Sequence, residues 1–86
     1  MQYLPIFLDV KDQPCLVVGG GEIALRKVAS LHRAGAAITL VSPELADALE
    51  QQRAQGVFVH ERRAFCEQDI QGRRLVIAAT DQREVN

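Results

Sequence analysis

Gly19, Gly21 and Ala24 stand at the spacing Gly-x-Gly-x-x-Ala, directly after the apolar run Cys15-Leu16-Val17-Val18. This spacing suits the binding of a pyrophosphate. Gly19 permits a tight turn, Gly21 lets the backbone approach phosphate oxygens with no Cβ in the way, and Ala24 allows the helix to pack closely on a sheet. The N–H groups of the first helical turn then point at the anion. Gly20 completes a triple glycine, and Glu22 and Ile23 open the helix, with the Glu22 carboxylate expected to turn outward. A glycine-rich turn also serves as a plain connector. Here a strand precedes it and a helix follows, the setting that dinucleotide binding requires.

Two further sites could meet the same ligand. A dinucleotide fold places an Asp or Glu near the end of its second strand to accept hydrogen bonds from the adenosine ribose. This chain has Ser42-Pro43-Glu44 there. Glu44 could reach the ribose, or it could simply favour the positive end of a helix dipole. No Arg follows to hold a 2′-phosphate, so NAD is expected over NADP. At the end of the fourth apolar run, Ala78-Ala79-Thr80-Asp81 would let backbone approach the cofactor. Thr80 could donate to it, or Thr80 or Asp81 could cap a helix.

The remaining chemical groups are isolated. His32 and His60 have no nearby ligand partner, so surface or edge positions are expected rather than a metal site. Cys15 belongs to a buried strand. Cys66 follows Arg62-Arg63 but has no identified base. Arg62-Arg63 and Arg73-Arg74 read by default as solvated strand ends, with an anionic substrate as the other possibility.

The elements that must position these residues alternate. After the turn Lys11-Asp12-Gln13-Pro14, Cys15–Val18 reads as a strand covered on both faces. From Glu22 to Ala34 the period is helical, with Ala24, Val28 and Leu31 on one face, and Gly35 ends the helix. Ile38–Val41 is a second strand. Ser42 is expected to cap a helix that begins at Pro43 and runs to about Ala54. Val57-Phe58-Val59 reads as a third strand and Leu75–Ala79 as a fourth, buried one, with a helical turn somewhere in Phe65–Ile70. Thr80-Asp81-Gln82 looks like a helix start. Strands alternating with helices imply right-handed crossovers and a parallel sheet. The expected class is therefore α/β: a Rossmann-like parallel sheet with flanking helices, truncated after about the fourth core strand.

Size and charge set the bounds. The 86 residues, 48% of them hydrophobic, have room for one domain. A full dinucleotide fold of two halves would need more chain, so residues 1–86 are expected to be one NAD-binding domain that is a fragment of a longer protein. Ten Lys plus Arg against eleven Asp plus Glu, scattered rather than clustered, argue against nucleic acid. The apolar run Tyr3–Leu8 is broken by Pro5 and closed by Asp9, unlike a signal peptide or membrane span. Two cysteines far apart suit reduced thiols in the cytoplasm.

Several phrases together resemble the N-terminal segment of siroheme synthases. These are Tyr3-Leu4-Pro5-Ile6-Phe7-Leu8-Asp9-Val10, the run from Cys15 through the triple glycine to Lys27, Ala34-Gly35-Ala36, Val41-Ser42-Pro43-Glu44 and Val76-Ile77-Ala78-Ala79-Thr80-Asp81. They occur in the family's order and cover essentially the whole chain. The resemblance implies the NAD-binding part of a precorrin-2 dehydrogenase, which oxidises precorrin-2 to sirohydrochlorin. The complete enzyme would also insert ferrous iron as a ferrochelatase, giving siroheme. Matched positions put the NAD contacts at the glycine turn with Glu22 and Ile23, at Pro43 and Glu44, and near Ala79–Asp81. The family's catalytic aspartate falls beyond Asn86, so none is assigned here and the isolated segment is expected to be inactive. The tetrapyrrole substrate and a homodimer belong to the complete protein. A nucleotide-sensing domain without chemistry is the rival reading.

Overall fold

A computed structural model describes residues 9–79. Four parallel strands form one sheet in the order β3-β2-β1-β4: β1 (Pro14–Val18), β2 (Ala37–Ser42), β3 (Val59–Arg62) and β4 (Leu75–Ala78). Helix α1 (Glu22–Arg33) joins β1 to β2, and α2 (Asp47–Ala54) joins β2 to β3. A short 3₁₀ turn (Glu67–Ile70) lies between β3 and β4. The expected α/β class and its parallel pairing are present.

The central position of β1 follows from its composition. Cys15, Leu16 and Val17 are apolar on successive positions and fully buried, so the strand needs cover on both faces and neighbours on both edges. It finds the neighbours in β2, through Cys15↔Ile38 and Val17↔Leu40, and in β4, through Cys15↔Leu75 and Val17↔Ile77. Ala24, Val28 and Leu31 of α1 recur at helical spacing and pack with Cys15, Val17, Ile38 and Leu40 in one core. Leu49 is the one buried residue of α2 and joins the same core. Gly35, at φ +83°, ends α1 as expected, and its carbonyl accepts from Asp12 N–H at 2.8 Å.

Three expectations need correction. The second helix does not begin at Pro43 under a Ser42 cap: Ser42 is the last residue of β2, 3% exposed, and α2 starts five residues later at Asp47. Backbone bonding decides this, because Ala46 N–H donates to Gly20 O at 2.8 Å and draws Pro43–Ala46 across the glycine turn as non-helical chain. The third strand is Val59–Arg62 rather than Val57–Val59. Phe58 is buried in the core, but the ladder with β2 runs from Thr39↔Val59 to Ser42↔Arg62. The fourth strand is only partly buried: among the described residues β4 is the edge of the sheet, and Val76 and Ala78 are exposed. The expected helix start at Thr80-Asp81-Gln82 lies outside the described residues.

Candidate functional site

The carboxyl ends of β1 and β2 and the segment after β4 open onto one cleft of about 860 Å³, within the size range of small-ligand sites. In open α/β sheets this is the edge where ligands bind. The glycine turn forms its floor. Gly19 has φ +128°, a conformation that excludes most side chains, and its N–H donates to Val41 O at 3.0 Å. Ala79 N–H donates to Val18 O at 2.8 Å. Three strand ends are thus tied together at the base of the cleft.

The start of α1 provides the polar groups. Gly21 occupies the N-cap position and has no side chain to offer, so among the described residues no side-chain cap bond engages the first-turn amides. Those N–H groups open into the cleft at the positive end of the helix dipole, and a Cβ on Gly21 would meet nothing within 4 Å. Free donors over open space fit a pyrophosphate. Glu22 is exposed, as expected. One turn further along, Arg26 also lines the cleft and adds a positive charge.

The opposite wall is the Ser42–Ala46 crossing. Ser42 Oγ donates to Glu44 O at 2.6 Å, which curls the chain and leaves the Glu44 side chain exposed at the cleft. This crossing lies so close to the turn that a Cβ on Gly20 would overlap the Glu44 carbonyl and stand 2.8 Å from Ser42 Oγ. Gly20, the unspecified position of the sequence pattern, therefore carries a far tighter steric requirement than Gly21.

Ala64 and Phe65 complete the rim. Arg63 forms two hydrogen bonds to the Asp69 carboxylate, which also accepts from Cys66 N–H at 2.9 Å. Hydrogen bonding from Arg63 holds the Asp69 carboxyl well below the usual carboxylate range, and the same bonds raise the Arg63 guanidinium. Arg73 donates to Thr39 Oγ1 at 3.2 Å, so Arg63 and Arg73 have structural partners. Cys15 is buried, and burial pushes its thiol up from the ordinary value. Cys66 is an exposed free thiol. Among the described residues no three His, Cys, Asp or Glu side chains cluster as a metal site.

Gly19, Gly20, Gly21, Glu22, Ile23, Ser42, Pro43, Glu44 and Ala79 all line this one cleft. Thr80 and Asp81 lie outside the described residues. Arg26, Leu45, Ala46, Ala64 and Phe65 were not anticipated. Arg26 was within reach of the sequence, four positions after Glu22 on the same helical face. Phe65 was not, because only the path of the chain after β3 brings it to the cleft.

Fold and cleft together define a nucleotide-binding α/β domain. A family model described as "Putative NAD(P)-binding" matches residues 6–86, and the chain belongs to that family. The chain is similar to siroheme synthase from Methylobacillus flagellatus, with 54% identity over all of this chain and 18% of that protein. Siroheme synthase from Nitrosococcus oceani is 46% identical over the same shares. Among solved structures, "SirC, precorrin-2 dehydrogenase" superposes with a TM-score of 0.86 at 33% identity, covering 98% of this chain and 42% of that one. The chain thus spans about a fifth of the length of the siroheme synthases that it matches.

Proposed function

We propose that this chain holds NAD for a precorrin-2 dehydrogenase within a siroheme-forming enzyme. The observation that carries the reading is the convergence of uncapped α1 amides, the open space over Gly21 and the Glu44 carboxylate on one cleft. In this reading the first-turn amides and Gly19–Ile23 hold the pyrophosphate. Pro43 and Glu44 face the adenosine ribose, and Ala79 borders the nicotinamide side, with Thr80 and Asp81, next in the sequence, assigned to the same set of contacts. Glu44 favours NAD, because its charge would repel a 2′-phosphate. Bound NAD supplies a hydride acceptor. The chain's own task is orientation, which by itself contributes a large part of the rate of such a transfer.

The similarity to siroheme synthases supports a tetrapyrrole substrate, with ferrous iron as the second substrate of a chelatase step. We assign the acid-base group to the family's later segment, as the resemblance to siroheme synthases implies. A homodimer and a cytoplasmic setting follow from the same reading. No helix of the described residues is long and apolar enough to cross a membrane.

Titration of the protein with NAD and NADP by calorimetry tests the cofactor claim, with NAD expected to bind more tightly. Absence of binding by either would remove it. Incubating the whole protein with precorrin-2 and NAD should yield sirohydrochlorin. Tight NAD binding without that turnover would point instead to a nucleotide sensor.

A further inference from the structure

His60 stands outside the cleft, half-buried on the edge strand β3, yet it grips the wall of the cleft from behind. The parallel register pairs Leu40 with His60 and Ser42 with Arg62, so His60 and Ser42 lie on the same face of the sheet, one pleat apart. Nε2 of His60 lies 3.1 Å from Ser42 Oγ and 3.1 Å from Ser42 O.

The hydrogen inventory fixes the direction of these bonds. Ser42 Oγ has one proton, and it goes to Glu44 O at 2.6 Å. The Ser42 carbonyl can only accept. Nε2 must therefore carry a hydrogen and donate to both oxygens, which excludes the tautomer with its hydrogen on Nδ1 alone. Without that donor the Ser42 hydroxyl is free to turn away from Glu44. Any displacement of Glu44 is felt at Gly20, which has no room to spare beneath it.

We propose that His60 is a positioning residue for the dinucleotide. By donating from Nε2 it sets the Ser42 hydroxyl, and through it the Glu44 backbone, at the height above Gly20 that the adenosine half of the ligand needs. The proposal rests on the dinucleotide reading of the cleft.

Nitrogen-correlated NMR of the His60 ring reads the tautomer without any cofactor, and the hydrogen is expected on Nε2. NAD and ADP-ribose are then titrated into wild type, His60→Leu and His60→Gln, with folding checked by circular dichroism. His60→Leu should weaken both ligands about tenfold and by equal factors, because the lost contact serves the half they share. His60→Gln, which can place an amide N–H near the same point, should return both to within about twofold of wild type. A hydrogen on Nδ1 alone, wild-type affinity in His60→Leu, or a folded His60→Gln no better than His60→Leu would each overturn the role. Wild-type protein that binds neither ligand would overturn the dinucleotide reading itself, and the role of His60 with it, even with the hydrogen found on Nε2.

Discussion

Two adjacent glycines answer to different demands. A Cβ on Gly20 would collide with backbone at Glu44, whereas a Cβ on Gly21 would enter open space. Gly20→Ala should therefore destabilise the fold by about 1–3 kcal/mol, the usual cost of overpacking. Gly21→Ala should change stability by less than about 1 kcal/mol while weakening NAD, since its methyl group would stand where the pyrophosphate approaches. Urea unfolding and calorimetric titration of both variants separate the two effects, and equal stability losses would contradict the distinction. The pattern Gly-x-Gly-x-x-Ala made Gly19 and Gly21 legible from sequence. It hid the steric constraint on Gly20, because that constraint comes from Glu44, a residue brought near only by the end of β2. His60 was hidden for the same reason: its partner sits on another strand.

At the scale of elements, apolar period and glycine placement were enough to find β1, α1 and β2. They failed where backbone bonding outweighs side-chain pattern. Ser42-Pro43-Glu44 has the composition of a helix start but is held in a crossing by the Ala46 N–H bond to Gly20 O and by the Ser42 hydroxyl donating to Glu44 O. The ladder of β3 carries the polar residues His60, Glu61 and Arg62, which no strand pattern flags. The loop after β3 is organised by Asp69, with Arg63 and Cys66 N–H converging on one carboxylate. Its folded pKa lies below the unfolded value, so its stabilisation is complete above about pH 5 and declines as the pH falls further, through the folded value. Asp69→Asn should be less stable than wild type by a constant amount above about pH 5. That gap should narrow below about pH 4, as urea midpoints measured along a pH series would show. A gap independent of pH would mean that the charge of Asp69 contributes nothing.

For the molecule as a whole, the order β3-β2-β1-β4 has a consequence in time. β1 lies in the middle of the sheet but pairs with two strands that come later in the chain, β4 last of all. Closing the long loop from Cys15 to Leu75 costs more chain entropy than closing those between β1, β2 and β3. The first three strands should therefore assemble with α1 and α2 before β4 joins. Leu40→Ala is expected to slow refolding, whereas Ile77→Ala should chiefly speed unfolding, and stopped-flow measurements in urea would read both rates. Refolding slowed equally by Ile77→Ala would place β4 in the nucleus instead. On a ribosome the same order applies to the nascent chain. The glycine turn and the Glu44 crossing would meet before the last strand arrives, so the adenosine side of the cleft would take shape ahead of the nicotinamide side.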